Sequence, residues 1–397
     1  MARTTVFLAV AILGAGLGAA DAAEWPKLPE SGEATVWNPA PRWPDIPDEK
    51  LAKPNLAPAP QWPSVTASAP AAADSDKPAL GDVTGALKAK PAPVFQAAFV
   101  PQLSPFSFEV GGRYWYSFGD TKFDFVNGHP LFGDPTSTLY WYDTQGHAGE
   151  FFARLDHAPT GVFVKGLVGG GIFNGGTIVD RDYFVGQVKF SDTSSEINGD
   201  RFHYGIVDIG WAFAVPRAGV RFGVFVGYHY WASKLTAAGL VCNPDDVNGF
   251  FCGPVGSLQV PNTVPIFVYE PTWHAMRLGF DARWEIARGW SLSGEVAVVP
   301  YARLVNKDSH LLRQSMADLG PAPNVISRSP YAFGAESEVF INYAVTPNLE
   351  VGIGGRYWGL LTDRGSVQFG PAFNYDYALD RFDQQRYGLL VQVKGRF

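Results

Sequence analysis

Beyond Pro105, polar and apolar residues alternate one by one over most of the chain. Phe106, Phe108, Val110, Gly112, Tyr114, Tyr116 and Phe118 share one face of an extended segment. Ser107, Glu109, Gly111, Arg113 and Ser117 take the other, interrupted by Trp115. Between Val220 and Tyr230, Arg221 and His229 oppose Phe222, Val224, Val226, Tyr228 and Tyr230. Further on, Arg277, Asp281, Arg283 and Glu285 oppose Met276, Leu278, Phe280, Trp284 and Ile286. Successive side chains of a strand point to opposite faces, so the pattern sets one face in lipid and the other in a polar lumen.

Ten such segments are expected: 106–118, 139–154, 162–173, 202–215, 220–235, 267–284, 291–304, 335–345, 349–361 and 381–397. Their connections alternate in length. Residues 156–161, 216–219, 287–289 and 346–348 are short turns, whereas 119–138, 174–201, 236–266, 305–334 and 362–380 are long. An even strand number with short inner turns and long outer loops is the signature of bacterial outer-membrane barrels. The expected fold is therefore all-β, a closed antiparallel transmembrane β-barrel over 106–397. Its last strand carries Tyr387, Leu389, Val391, Val393 and terminal Phe397 on one face. That ending resembles the C-terminal signal by which the barrel-assembly machinery recognises such proteins, and makes that machinery an expected partner.

Composition agrees. Charged residues are 17% of the 397, while Gly (44) and aromatics (14%) are high, and no internal run is long enough for a membrane helix. A net charge of −7 argues against a nucleic-acid partner. Met1–Arg3 is basic, Val6–Leu17 is apolar, and Ala20-Asp21-Ala22 offers a small-x-small cleavage site. Residues 1–22 thus read as a secretory signal peptide. Residues 23–105 hold roughly half of the 31 Pro, with Trp-Pro at Trp25, Trp43 and Trp62, and are expected to be a disordered periplasmic tether. The expected location is the outer membrane of a Gram-negative bacterium, in contact with its lipid and lipopolysaccharide.

Three aromatic clusters, Arg113-Tyr114-Trp115-Tyr116, Tyr228-His229-Tyr230-Trp231 and Arg356-Tyr357-Trp358, read as girdle residues at the membrane interface. Cys242 and Cys252 are expected to close an outer loop as a disulfide. His147, His157, His203 and His274 are scattered and lack metal-ligand spacing, so no metal or bound cofactor is expected.

Candidate chemistry lies beyond the outer ends of the third and seventh strands. Asp180 and Asp182 are two apart on an extended backbone and point the same way; so do Asp308 and His310. An Asp–His pair orients imidazole and raises its basicity. Two close carboxylates cannot both ionise freely, so one holds a proton or positions water. In a ring of ten, strands three and seven face each other, and a water held between the pairs would be a nucleophile for a peptide carbonyl.

Parity sets a condition on this arrangement. Lys165, Ser293 and Glu295 face the lumen with odd numbers, but all four candidate residues are even. They can face the mouth only if a residue is inserted out of register on each strand. Breaks are expected near Pro300, and near Gly169–Gly171 or Gly175-Gly176.

At this point the chain resembles a known family, the omptins, ten-stranded outer-membrane endopeptidases. Val179-Asp180-Arg181-Asp182-Tyr183 after a Gly-Gly is similar to the omptin Val-Asp-Gln-Asp-Trp segment, and Asp308-Ser309-His310 to its Asp-Glu-His. Ser137-Thr138-Leu139-Tyr140-Trp141 is similar to Ser-x-Leu-Asp-Trp. Phe190–Ser194 follows Trp-Thr-Asp-Glu-Ser, Gly227-Tyr228 opens the counterpart of Gly-Tyr-Gln-Glu, and Val345-Thr346-Pro347-Asn348 recurs unchanged.

The resemblance implies catalytic roles for Asp180, Asp182, Asp308 and His310, with Asp308 and His310 as the dyad that activates water. It implies cleavage of peptide or protein substrates beside basic residues, assisted by lipopolysaccharide. Two positions depart from the family pattern: Asn306 replaces an acidic residue two before the dyad Asp, and a family His is replaced near Glu196. The alternatives are a non-catalytic barrel, such as a narrow channel or a surface-binding protein, and a lipid-modifying enzyme, for which no lipid-facing Ser/His pair stands out.

Overall fold

The computed structural model describes residues 104–215 and 219–397; the expected signal peptide and nearly all of the expected tether lie outside the described residues. Ten strands follow in chain order: β1 (Phe106–Val126), β2 (Phe132–His157), β3 (Val162–Phe184), β4 (Lys189–Val215), β5 (Val220–Cys242), β6 (Leu258–Ala287), β7 (Trp290–His310), β8 (Val325–Ala344), β9 (Leu349–Phe369) and β10 (Tyr377–Arg396). Each pairs antiparallel with its sequence neighbours, and β1 pairs with β10 to close the barrel. The expected transmembrane barrel is what folds.

The strands are longer than their alternation suggests, from 20 residues in β10 to 30 in β6. A tilted strand crosses the hydrocarbon core in about 9–11 residues, so the rest of each strand rises beyond it. The apolar belt is visible on the outer surface. Leu155, Val164, Ile209, Val224, Phe280, Val298, Ile353 and Leu389 all point outward and are exposed. At its upper rim Tyr114 bonds His147 and Tyr228 bonds His274, with ring nitrogens and hydroxyls paired in the headgroup region.

Two expectations need correction. First, the long outer connections are mostly strand. β1 runs on to Val126 and β2 begins at Phe132, and only 243–257 and 311–324 remain as sizeable outer connections. The alternation is interrupted in the sequence because its phase flips within a strand. In β7 the inward residues are odd through Val299 and even from Ala302 onward. Second, only half of each aromatic cluster is girdle. Trp115, Trp231, Trp358 and His229 point into the lumen and are buried, while their tyrosine neighbours face outward.

The lumen is filled in layers. At the inner end, buried ion pairs cross it: Arg154 with Asp156 and Asp281, Arg283 with Glu350, Arg277 with Asp208, Glu295 and Glu336, and Arg356 with Glu150 and Glu338. A buried charge is tolerable only when paired this closely. Above them Trp358 packs edge-on against Trp115 and Tyr204, at centroid distances of 4.8 and 4.9 Å. Higher still, Phe382 stacks on Tyr269, which leans on Trp141. This aromatic plug is the floor of the site described next. The expected disulfide is present, joining Cys242 to Cys252 in the β5–β6 connection.

Candidate active site at the outer mouth

Both expected register breaks are present. Met276 pairs with Tyr301 and Leu278 with Val298, so β7 carries one extra residue around Pro300. Proline lacks the amide donor that a regular ladder needs there. On β3 the inward residues are odd through Phe173 and even from Ile178. The pairing with β2 is irregular where Gly175 meets Gln145. Gly176 sits there at φ +132°, and a Cβ on it would lie 2.8 Å from the Tyr142 carbonyl oxygen. Only glycine fits that backbone. Gly169–Gly171, the other possibility, keeps regular pairing on both sides.

The two shifts turn Asp180, Asp182, Asp308 and His310 inward, where they line one cavity of about 290 Å³. It lies above the apolar belt: Asp308 is roughly 20 Å further along β7 than Tyr301, an exposed aromatic of the belt's upper rim. All four residues predicted from the sequence are thus brought together.

His310 Nε2 lies 3.1 Å from Asp308 Oδ2, which leaves Nδ1 to accept a proton when Nε2 donates. One ring contact and three hydrogen bonds to backbone hold the dyad in place. The Phe267 ring stands edge-on to it at 5.0 Å. The His310 backbone N–H donates to Asn324 Oδ1, and Asn324 Nδ2 donates back to the His310 carbonyl. Asn324 also donates its own backbone N–H to the Asp308 carbonyl, tying the dyad to the β7–β8 connection.

The electrostatics divide the work. Burial disfavours charge on His310, but the Asp308 carboxylate outweighs it and raises the imidazole above its usual 6.5. Burial, with Asp182 beside it, pushes Asp180 well above the ordinary carboxylate range. Asp182 is also raised by burial, less so because the Ser137 hydroxyl favours its charged form. Burial and the closeness of the two carboxylates thus favour a protonated form of the couple beside the dyad.

Sequence reasoning missed Asn324, Ser137, Phe267 and Tyr269. Ser137 lies in a segment singled out for its resemblance, but its role emerges only from its pairing opposite Asp182. Tyr269 pairs opposite Asp308 and is fully buried beneath the site, in a stretch with no distinguishing motif. Asn306, the departure from the family pattern, is fully buried on the inner face, and neither amide atom has a hydrogen-bond partner among the described residues. Glu196 lies in β4 and receives a bond from Asn262 of β6.

No protein-family model matches the chain, and no curated protein matches it in sequence. Among solved structures it is similar to the outer-membrane protease OmpT of Escherichia coli, with a TM-score of 0.55 at 17% identity over 74% of this chain and 98% of that one. The Ralstonia pickettii toluene transporter TbuX matches 74% of this chain and 89% of its own at 10% identity, with a TM-score of 0.24. A Pseudomonas aeruginosa FadL homologue matches 74% and 90% at 9% identity, with a TM-score of 0.18. The first comparison shows a shared fold; the other two scores are too low to carry an argument.

Proposed function

We propose that this protein is an outer-membrane endopeptidase of the omptin type, which hydrolyses peptide bonds with water activated between the Asp308–His310 dyad and the Asp180–Asp182 couple. The observation that carries the reading is the convergence of the four groups, because it requires two independent backbone irregularities that strand regularity would not produce. In the reaction, His310 takes a proton from water as the water oxygen bonds to the peptide carbonyl carbon. Asp308 steadies the imidazolium that forms. The couple orients the water, and its retained proton faces the negative charge that develops on the carbonyl oxygen. His310 then returns the proton to the amine as the C–N bond breaks. Against the channel reading stands the lumen itself, crossed by ion pairs and capped by the Trp115–Tyr204–Trp358 cluster.

Lipopolysaccharide is proposed as an activating partner. On the outer wall just above the belt, Arg201, His203, Lys234 and Lys307 line a second cavity of about 220 Å³, together with Glu270, Tyr230 and smaller or apolar side chains. Cations at headgroup height attract lipid phosphates at about 1 kcal/mol each. Replacing Arg201 and Lys307 together by Ala should raise the lipopolysaccharide concentration for half-maximal peptide cleavage by at least about tenfold, with the rate at saturation unchanged. Titrating lipopolysaccharide into refolded protein with a quenched-fluorescent peptide reads both quantities. An unchanged titration would remove this site, and no cleavage at any concentration would remove the protease reading.

A further inference from the structure

Above the carboxylate couple the wall of the mouth turns aromatic. In the phase that brings Asp180 and Asp182 inward, the next residue of β3 on the same face is Phe184. On β4, Asp182 pairs with Ser191 and Tyr183 with Lys189, so Phe190 is an inserted residue. An insertion of this kind re-aims a side chain. Here it lays Phe190 on Phe184, the two rings stacked at 4.0 Å. Phe251, from the 243–257 connection, stands edge-on to both at 6.0 and 5.2 Å, with Phe250 against it at 4.9 Å. The opposite face of the same segment is polar and paired within itself: Asp192 binds Arg181 and Lys189 at 3.2 and 2.6 Å. The aromatic shelf is also held in place. The Cys242–Cys252 disulfide closes the connection that carries Phe251, and the Asn243 and Asp246 N–H groups donate to the Asp192 and Lys189 carbonyls at 2.8 Å each. Phe250 and Phe251 nonetheless remain 79% and 55% exposed.

We propose that this shelf is a second contact for the substrate, receiving one large apolar side chain a few residues away from the scissile bond. The inference rests on the protease reading, and leaves the residues that flank the bond to the mouth cavity. Two observations name the occupant. The shelf continues the face that carries the Asp180–Asp182 couple, so a chain that leaves the site on the β3 side passes over it. A neighbouring barrel or a lipid meets the outward face instead, where Arg181, Lys189 and Asp192 lie. Phe184 is roughly 7 Å beyond Asp182, two residues of an extended peptide, and the Phe251 ring lies 6.0 Å from that of Phe184. The fitting position is therefore about two to four residues from the bond. A Phe, Trp or Leu side chain there covers exposed ring surface and is itself removed from water.

The test uses full-length mature protein refolded in lipopolysaccharide-containing micelles. A randomised peptide library first supplies one cleaved core sequence, its bond located by mass spectrometry. Phe or Ser is then walked through the second to fifth positions on each side of that bond. On one side only, at one or two positions, Phe should exceed Ser in kcat/KM by at least about tenfold, the lower end of what burying one large apolar side chain gives. Phe251 lies outside the ladder, and Phe251→Ser should narrow that ratio to about threefold or less. Phe190→Ala, on the other side of the stack, should narrow it as well, so the result does not hang on the folding of one variant. A ratio near one at every position, or a ratio that survives either variant, overturns the inference and leaves the protease reading intact. A library with no cleaved member overturns both.

Discussion

His310→Ala should abolish peptide cleavage while the barrel still folds and shows heat-modifiable migration. Loss of a general base removes about 10²–10⁴-fold in rate, and more when the base also generates the nucleophile. The ring projects into the mouth cavity from the last residue of β7, so its removal leaves the ladder intact. Asp308→Asn should act through the same group. It removes the carboxylate that raises the imidazole, and leaves a neutral amide 3.1 Å from Nε2. The pH profile carries a sign. His310 works as a base only when neutral, and its pKa is raised above 6.5 by Asp308. Activity should therefore climb with pH through a midpoint above 6.5, and in Asp308→Asn any residual activity should have its midpoint shifted to lower pH. Equal turnover by wild type and His310→Ala, measured with a quenched-fluorescent peptide, would leave only non-catalytic readings.

Gly176→Val should cost nearly as much without touching a proposed catalytic group. At φ +132° a β-branched residue is strained, by about 1–3 kcal/mol. Its Cβ would also meet Ile197 Cδ1 at 2.6 Å and the Tyr142 carbonyl oxygen at 2.8 Å. The backbone must move, and it is the segment that turns Asp180 and Asp182 inward. A displacement near 1 Å at a reacting constellation costs about 10²-fold. Gly175→Ala is the matched control: its added methyl would find nothing closer than 3.8 Å, and its φ is not in the left-handed region. Full activity in Gly176→Val would separate the site from the register break, and with it the argument that the break exists to build the site.

Much of the barrel was legible because lipid on one side and a polar lumen on the other impose a period of two on every strand. That same rule misled where the phase changes. Past Pro300 the inward residues become even, so 305–310 read as loop although it is ladder. Parity nonetheless pointed to the flaw. Even-numbered Asp308 and His310 could face inward only through a break, and Pro300 and the Gly175-Gly176 pair marked its place. The aromatic clusters were half legible. Adjacent residues of a strand face opposite ways, so Tyr114 reaches the interface while Trp115 must enter the lumen, and the cluster could not be girdle throughout. Asn324 was illegible because its contact with His310 is made by the fold of the 311–324 connection, not by spacing. Ser137 and Tyr269 act through cross-strand pairing, which no single strand reveals.

The most direct measurement places refolded wild-type protein and His310→Ala side by side in lipopolysaccharide micelles, with a mixed peptide library in water enriched in ¹⁸O. Wild type alone should yield internal cleavage products, and each newly formed carboxyl should carry the label from activated water. Intact peptides in both samples, or the same products from both, would contradict the protease reading.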